Sequence, residues 1–369
     1  MEKRKVEKLV IKNFKSIREA ELELRDINIL IGANGVGKSN FISFFKMLNA
    51  FVEQEFQKHV KKEGGANNLL YFGSKYSEYI ESKVFFSPNI YEFRLIPDNQ
   101  DNLFFEYERV GFHTSQGYWD YDDIGKNEYE SKLPEAAKET GKVGGPSKSY
   151  YVFNSMKTWK VYHFHDTSNE SPMRRACNIN DNRFFRENAS NLPAFLYLLQ
   201  KRYESSFKQI ERNLRKVAPF FEKFVLEPDR IDSERIRLEW KHRDSDEYFN
   251  ASHLSDGTLR MLCLLTLLLQ PEEFLPSTIL IDEPELGLHP AAIKLFSEIV
   301  KTISPKTQII MSTQSATLIS HFDPEDIIVV DVEDNQSVFR RLKKEDLEDW
   351  LKEYSLGELW EKNILGGRP

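Results

Sequence analysis

Apolar residues recur at two periods along the chain, and these periods predict where strands and helices lie. A period of two over residues 6–11 and 20–24 predicts two strands joined by a short turn. The same period between residues 83 and 110 predicts an antiparallel meander, and residues 159–165 predict a further strand. Because the first strand pair leads directly into the apolar run 27–31, we expect the N-terminus to be part of the same sheet as that run.

The second half of the chain alternates predicted helices with short apolar strands, a pattern typical of parallel crossover units. The predicted helices are 195–203, 206–217, 259–269 and 291–302, and the predicted strands are 277–282, 308–311, 327–332 and 337–342. An acidic helix containing Trp350 is expected near the end. The polar residues 111–150 have no clear period and predict a long surface loop or a mobile insertion, and residues 54–65 also predict a loop by composition.

Composition narrows the class of protein. The chain has 369 residues, 40% of them hydrophobic, with 27 Phe and 15 Tyr, which indicates a folded protein with one large domain or two interleaved ones. The two cysteines, Cys177 and Cys263, provide no disulfide framework, so a cytoplasmic location is expected. The charged residues 1–8 do not resemble a signal peptide, and the apolar run 259–269 is shorter than the roughly 20 residues that a membrane span needs. We therefore expect no membrane partner, and the net charge of −7 does not indicate nucleic-acid binding.

The chemically most specific stretch matches GxxxxGK[ST] at residues 32–39, between an apolar strand and a run compatible with a helix over 39–48. Its glycines allow positive φ angles that bring N–H groups close to an anion, and Lys38 adds a positive charge for the outer phosphates. Ser39 would bind magnesium, and the helix dipole would favour the phosphates. The alternative is a glycine-rich turn with a chance lysine. The predicted nucleotide-binding residues are Gly32, Ala33, Asn34, Gly35, Val36, Gly37, Lys38, Ser39 and Asn40.

Two acids end the predicted strand 277–282. A dry strand that ends in a carboxylate, here Asp282 followed by Glu283, suits a magnesium site. Ser255 precedes the apolar helix 259–269, where it is expected to act as an N-cap.

Two other groups of residues leave alternatives open. His163 and His165 face the same side of a predicted strand and, with Asp166, imitate a metal site, but two histidines without a third separated ligand favour a structural role. Six positive charges form either a basic stripe for DNA phosphates or a solvated helix face, and the solvated face is favoured. They are Lys201, Arg202, Lys208, Arg212, Arg215 and Lys216.

Four motifs in a fixed order resemble the ATP-binding-cassette (ABC) ATPases of the branch that contains the structural-maintenance-of-chromosomes (SMC), RecF and OLD proteins. They are the loop at 32–39, LSDG at 254–257, ILIDEPE at 279–285 and STQS at 312–315. The opening IKNFKSI at 11–17 is also similar to that branch. Residues 161–168 and 354–369 resemble a narrower AAA family of bacterial ATPases that have no long coiled coil.

The resemblance implies an α/β fold, namely a P-loop NTPase head of ABC type with a mixed sheet, an antiparallel β subdomain and a helical insertion. The expected division is an N-terminal lobe at 1–72, an insertion at 73–225, a C-terminal lobe at 226–345 and a helix and tail at 346–369. Magnesium-dependent hydrolysis of ATP is the implied activity, with ATP and Mg²⁺ as cofactors.

The resemblance also implies roles for single residues. Lys38 and the loop amides would hold the β and γ phosphates, Ser39 and Asp282 the magnesium, and Glu283 would polarise the attacking water. Glu285 competes for that role, although the position directly after Asp282 favours Glu283. Gln314 stands where this branch usually has a histidine and would contact the γ-phosphate as a neutral amide.

The remaining implied contacts cross between subunits. Ser255 and Gly257 would contact the nucleotide of the other subunit in an ATP-sandwiched homodimer, and His289 matches the turn that crosses this interface. No glutamine is placed as a second magnesium contact, because Gln54 and Gln57 lie too early in the chain.

Two hypotheses for the biological role follow from the resemblance. In the first, the ATP-closed dimer clamps or senses DNA and licenses a separately encoded nuclease or other effector, in defence against phage. In the second, the protein is a RecF-type ATPase of DNA repair or chromosome maintenance that acts through ATP-gated DNA binding.

Overall fold

The structure is a computed structural model that describes residues 4–141 and 145–367. Residues 1–3, 142–144 and 368–369, which belong to the predicted N-terminal lobe, surface loop and C-terminal tail, lie outside the described residues. The strands in the described part are β1 (Lys8–Phe14), β2 (Ile17–Glu23), β3 (Ile27–Ile31), β4 (Ile80–Phe86), β5 (Asn89–Pro97), β6 (Leu103–His113), β7 (Trp119–Gly125), β8 (Lys160–Tyr162), β9 (Cys177–Asn178), β10 (Phe221–Val225), β11 (Arg235–Ile236), β12 (Glu239–His242), β13 (Tyr248–Asn250), β14 (Thr278–Asp282), β15 (Gln308–Thr313), β16 (Ile327–Glu333) and β17 (Gln336–Arg341). The helices are α1 (Lys38–Glu53), α2 (Phe56–Lys62), α3 (Ala66–Leu69), α4 (Leu133–Ala136), α5 (Lys148–Met156), α6 (Leu192–Arg202), α7 (Glu204–Val217), α8 (Asp256–Leu268), α9 (Pro290–Ile303), α10 (Ala316–Ile319) and α11 (Leu356–Glu361).

Two six-stranded sheets form the framework. The first is antiparallel, in the order β2-β1-β4-β5-β6-β7, and the second is mixed, in the order β17-β16-β3-β15-β14-β8. In the mixed sheet only β17 is antiparallel to its neighbour, so the other five strands end at the same edge. These sheets confirm the predicted mixed sheet and antiparallel β subdomain.

The N-terminal hairpin does not belong to the sheet that carries the phosphate loop, so that expectation was wrong. Strand β1 pairs with β2 on one side and with β4 on the other, with Leu9 opposite Val84. The chain crosses to the mixed sheet only after Leu24, which the sequence conceals because the hairpin and β3 follow one another so closely. The predicted boundary at residue 72 therefore separates strands that pair in one sheet, and the four-segment division stays a prediction.

Helix α1 lies between the two sheets. Phe44 packs edge-on against Phe14 of β1 at 5.3 Å, and Phe51 packs against Phe93 of β5 at 5.0 Å between ring centroids. The same buried cluster includes Leu280 from the mixed sheet. Each aromatic pair adds about 0.5–1.5 kcal/mol beyond the area that it buries. The helix that follows the phosphate loop is thus held from both sides.

The region 54–65, expected to be a loop, contains helix α2. The first N–H groups of this helix, from Phe56 and Gln57, donate to the carboxylate of Glu130 at 2.9 Å each. This carboxylate caps the helix from more than 70 positions away, so no local pattern announces it.

The expected loop or mobile insertion at 111–150 is also largely ordered. It contains the end of β6, all of β7, the short helix α4 and the start of α5. Strand β7 pairs with β6 through Tyr121 opposite Gly111, and the guanidinium of Arg109 lies 4.4 Å from the Tyr121 ring. The strand was missed because its many acidic residues hide the alternation of the aromatic residues Trp119 and Tyr121.

Other elements follow their predictions with shifted ends. Strand β8 stops at Tyr162, three residues before the expected end, because the N–H of His163 donates to the carbonyl of Glu187 instead of to a strand. Trp350 lies in a 3₁₀ turn, and the terminal helix α11 begins after it, where Ser355 caps it.

Helices α6 to α9 pack on the other face of the mixed sheet. Within residues 4–141 and 145–367, none of the helices is both long enough and apolar enough to cross a membrane.

Candidate nucleotide-binding site

The phosphate loop joins β3 to α1, as the sequence predicts. Gly35 and Gly37 have φ angles of 83° and 113°, which side-chain-bearing residues rarely adopt. Gly37 has a second constraint, because a Cβ atom there would lie 2.1 Å from Oγ of Ser337 and 2.8 Å from Oγ of Ser16. The loop is therefore packed tightly on its outer side.

The two serines that crowd Gly37 support the loop through hydrogen bonds. Ser337 donates to the carbonyl of Val36 at 2.6 Å, and its hydroxyl lies 2.7 Å from that of Ser16. Asn40, in the first turn of α1, donates to Ser16 at 2.7 Å. Ser16 belongs to the recognised opening motif, but nothing in the sequence connects it to Ser337. This support was missed.

Lys38 begins helix α1 and turns back onto the loop. Its ammonium group donates to the carbonyl oxygens of Gly32 at 2.6 Å and Ala33 at 2.7 Å. Burial lowers the pKa of Lys38, and the carboxylate of Glu283 acts in the opposite direction. An ammonium group has three donors, so one remains for a phosphate oxygen.

The start of α1 leaves its backbone donors open to an anion. Gly37 occupies the N-cap position without a side-chain cap, and the first turn contains no acidic residue. The first N–H groups of a helix have no partner within the helix, and the dipole favours negative charge there. This end of α1 suits a phosphate group.

A pocket of about 120 Å³ gathers most of the predicted site residues. It is lined by Asn34, Gly35, Gly37, Lys38, Ser39, Asn40, Asp282, Glu283 and Gln314. Gly32 and Ala33 contribute carbonyl groups to Lys38 instead, and Val36 is buried.

Ser39 and Asp282 fit a magnesium ion. One Asp282 carboxylate oxygen accepts a short hydrogen bond from Ser312, which leaves the other oxygen for a ligand. Hydroxyl and carboxylate oxygens are the donors that Mg²⁺ prefers. Ser312 lies in the predicted STQS motif, but its contact with Asp282 was not foreseen. Because β14 and β15 are parallel neighbours, Asp282 stands opposite Ser312.

Glu283 lines the pocket in a strained conformation. Its φ is 44°, and a non-glycine residue in this left-handed region costs on the order of 1–3 kcal/mol. Gln314 donates to Asn34 of the phosphate loop at 2.5 Å and lies 3.4 Å from a carboxylate oxygen of Glu283. The amide therefore connects the loop to the glutamate.

Glu285, the competing catalytic base, does not line the pocket. Its carboxylate accepts hydrogen bonds from the hydroxyl of Thr313 at 2.5 Å and the N–H of Gln314 at 3.4 Å. Burial raises the pKa of Glu285, and its second oxygen is buried without a partner. This geometry favours Glu283 as the base.

The two histidines lie just beyond β8, next to Asp282. Nε2 of His165 is 2.8 Å from the backbone carbonyl of Asp282, so it is the donor. Burial lowers the pKa of His163 to about 4, and the positive charge of Lys46 acts in the same direction. In the part of the chain that the structure describes, no group of three or more His, Cys, Asp or Glu side chains is arranged to hold a metal ion. The contact of His165 with the strand of Asp282 was missed.

Ser255 and Gly257 do not line this pocket. Ser255 is exposed at the N-terminus of α8, where its hydroxyl accepts from the N–H of Thr258 at 3.2 Å. The expected capping role is therefore present. Gly257 has a reason within the subunit to be glycine, because a Cβ atom would lie 2.4 Å from the carbonyl oxygen of Gly287.

The loop between β14 and α9, which approaches α8 at Gly287, contains exposed residues. Leu286 is 46% exposed, and His289 caps α9 by accepting from the N–H of Ala291 at 3.2 Å. An interface role for His289 stays a prediction.

The basic residues of α6 and α7 are partly neutralised, since Lys208 pairs with Glu204 and Arg215 pairs with Glu211, which favours the solvated-face interpretation.

The fold is similar to that of solved SMC heads. One match is the crystal structure of the SmcHead bound to the C-winged helix domain of ScpA, with a TM-score of 0.56, 17% identity, and coverage of 93% of this chain and 99% of that chain. Another is the Smc head domain with an extended coiled coil bound to the C-terminal domain of ScpA, derived from Pyrococcus furiosus, with a TM-score of 0.55, 18% identity, and coverage of 94% and 98%. These matches confirm the predicted fold class, an ABC-type P-loop head.

The sequence itself matches a family over most of its length. Residues 27–320 match the family described as "AAA domain, putative AbiEii toxin, Type IV TA system", and this range contains the phosphate loop and the strand of Asp282. No curated protein matches the chain. Its fold is an ABC-type P-loop head, similar to SMC heads. The chain therefore belongs to this AAA family and is a domain of the P-loop ATPase type.

Proposed function

We propose that the protein hydrolyses ATP with Mg²⁺ and that two copies close around the nucleotide. The observation that carries the proposal is the separation of two groups of residues within one chain. The pocket contains the phosphate loop, Asp282 and Glu283, whereas Ser255 lies on an exposed helix N-terminus outside it. A helix N-terminus is suited to phosphate, so in the dimer Ser255 of one copy contacts the nucleotide of the other.

The pocket residues divide the work of hydrolysis. Lys38 and the free N–H groups of α1 bind the phosphates, and Glu283 orients the attacking water and accepts its proton. Gln314 would donate one of its two side-chain N–H groups to the γ-phosphate, in exchange for one of its contacts with Asn34 and Glu283. Ser39 and Asp282 would hold Mg²⁺, which neutralises charge on the phosphates when bound.

The first test is the mass in solution of the Glu283→Gln variant, with and without ATP and Mg²⁺. The variant keeps the shape of the site but lacks the base, so we expect it to bind ATP, to hydrolyse it poorly and to change from 43.3 kDa to twice that mass. Light scattering after size exclusion measures the mass. An unchanged mass with ATP would refute closure around the nucleotide.

The matched control is Glu285→Gln, an equally conservative change two residues away. Glu285 faces Thr313 and does not line the pocket, so we expect this variant to keep its turnover and to accumulate no stable dimer. If Glu285→Gln stops hydrolysis while Glu283→Gln does not, the base has been assigned to the wrong residue.

The closed dimer, we further propose, gates a separate effector and senses DNA. The family description names an AbiEii toxin of a type IV toxin–antitoxin system, and the SMC heads with the same fold bind a domain of ScpA. Both are consistent with a protein that acts through a partner, such as a separately encoded nuclease in defence against phage. The test is duplex-DNA binding by the Glu283→Gln variant, with and without ATP and with its genomic neighbour. Absence of ATP-dependent binding in every combination would refute DNA sensing and leave the ATPase intact.

A further inference from the structure

Two buried arginines connect the end of β8 to the N-terminus of α8. The Arg174 side chain is 4% exposed and follows β8 in a 3₁₀ turn, and Arg260 is 5% exposed in α8. Buried guanidinium groups require hydrogen-bond partners, so the partners show what each group holds.

Arg174 donates hydrogen bonds to residues before and after Ser255 in the chain. Its Nη1 donates to the carbonyls of Ala251 at 2.5 Å and Leu254 at 3.1 Å, and its Nη2 donates to the Asp256 carboxylate at 2.8 Å. Its Nε donates to the carbonyl of Thr167 at 2.8 Å, within its own segment. The residues directly before and after Ser255 are thus fixed to the segment that follows β8.

Arg260 also connects α8 to the residues that follow β8. Its Nε donates to the carbonyl of Phe164 at 2.8 Å, and its Nη2 to that of His165 at 3.1 Å. His165 in turn donates to the carbonyl of Asp282. A continuous set of contacts therefore runs from the strand end that carries Asp282 to helix α8, whose N-cap is Ser255.

We propose that Arg174 is a positioning residue for the shared site, which sets the orientation in which Ser255 meets the nucleotide of the partner copy. This inference rests on the proposed dimer. Arg174 lies in neither the pocket nor the sequence motifs, and its only described carboxylate partner, Asp256, is 67% exposed at the side chain. A buried cation that is satisfied mainly by backbone carbonyls fixes the path of a loop, because those carbonyls have defined directions.

The test uses Arg174→Ala with a control on the adjacent residue. Arg175 is 60% exposed and pairs with Glu170, which is 88% exposed, so Arg175→Ala should keep the parental rate. Arg174→Ala should bind ATP with an affinity within about threefold of the parental protein, because the phosphate loop is untouched, but its kcat should fall about 100-fold. Arg174→Lys should recover only part of the rate, since an ammonium group cannot reproduce the fork of donors.

Mixed dimers distinguish a role of Arg174 in the partner's site from a general loss of activity or folding. In a mixture of Arg174→Ala with Glu283→Gln, the Arg174→Ala copy supplies an intact Glu283 and the other copy supplies a correctly held Ser255. Half of the dimers in an equal mixture are mixed, with one intact site out of two, so the rate should recover to about one quarter of the parental value. Neither variant alone should approach that rate.

Ser255→Ala mixed with Glu283→Gln shows whether the site is shared at all. If this mixture recovers activity and the Arg174→Ala mixture does not, Arg174 acts within its own pocket or on folding, and the inference is overturned. If neither mixture recovers activity, the shared site itself is refuted, and the inference falls with it.

Discussion

Replacing Gly257 by alanine tests how strictly the position of Ser255 controls turnover. Gly257 lies in the first turn of α8, and an added Cβ atom would lie 2.4 Å from the carbonyl oxygen of Gly287. Ordinary contacts of this kind are 3.4–4 Å long, so the start of α8 or the loop after β14 must move by about 1 Å. The neighbouring atom belongs to the backbone, and no change of side-chain rotamer relieves the contact.

Two opposing effects decide the stability of this variant. Alanine is favoured over glycine in a helix by about 1 kcal/mol, whereas overpacking costs about 1–3 kcal/mol. We therefore expect the free energy of unfolding without nucleotide to fall by up to about 2 kcal/mol. Because a displacement of about 1 Å at a catalytic constellation lowers the rate about 100-fold, kcat should fall by that factor while ATP affinity changes little.

Steady-state hydrolysis and urea unfolding measure the two expected effects. Gly117→Ala is the control, since a Cβ atom there meets nothing within 4 Å, although its φ of 88° adds backbone strain. A Gly257→Ala variant with parental kcat would refute the reasoning. A variant that loses turnover and also loses clearly more than about 2 kcal/mol of stability would show a general disruption of the fold instead of a local displacement of Ser255.

Three further changes have expected outcomes. Lys38→Ala should abolish nucleotide binding in a fluorescent-nucleotide titration, because the phosphates lose their cationic partner, and residual tight binding would contradict the role of Lys38. Glu285→Gln should raise the free energy of unfolding at pH 7 to 8 but not near pH 4. The raised pKa of Glu285 means that the folded protein favours the neutral acid, so the stability that the neutral acid contributes is lost as the pH rises through the folded pKa. Equal effects of the substitution at all pH values would contradict this. Ser337→Ala should weaken ATP binding several-fold by removing the 2.6 Å bond to the carbonyl of Val36, and an unchanged dissociation constant would show that the phosphate loop holds its shape without it.

Local patterns in the sequence were sufficient to predict those elements whose function and backbone geometry depend on neighbouring residues. The phosphate loop, the strand that ends at Asp282 and the helix that begins after Ser255 all lie where they were predicted. Each combines an apolar run with a turn or cap, which is information within a dozen positions.

Contacts between distant parts of the chain escaped prediction. Ser16 and Ser337, whose hydroxyls meet behind the phosphate loop, are 321 positions apart. The cap of α2 by Glu130 and the sheet that joins β1 to β4 have the same character. A single sequence contains no pattern that pairs such residues, and the partners of Arg174 belong to this class.

The mixed sheet explains why so many of the site residues nevertheless meet. Strands β8, β14, β15 and β3 are parallel neighbours, so their carboxyl ends place His165, Asp282, Gln314 and the phosphate loop along one edge. Ser255 follows none of these strands and reaches the surface on a helix instead. The edge of the sheet therefore gathers the residues proposed to bind phosphate and metal within one chain, and in the proposed dimer the remaining contact comes from a surface that another copy presents. In that proposed dimer Arg174, which holds this surface to the segment after β8, would link the two halves of the shared site.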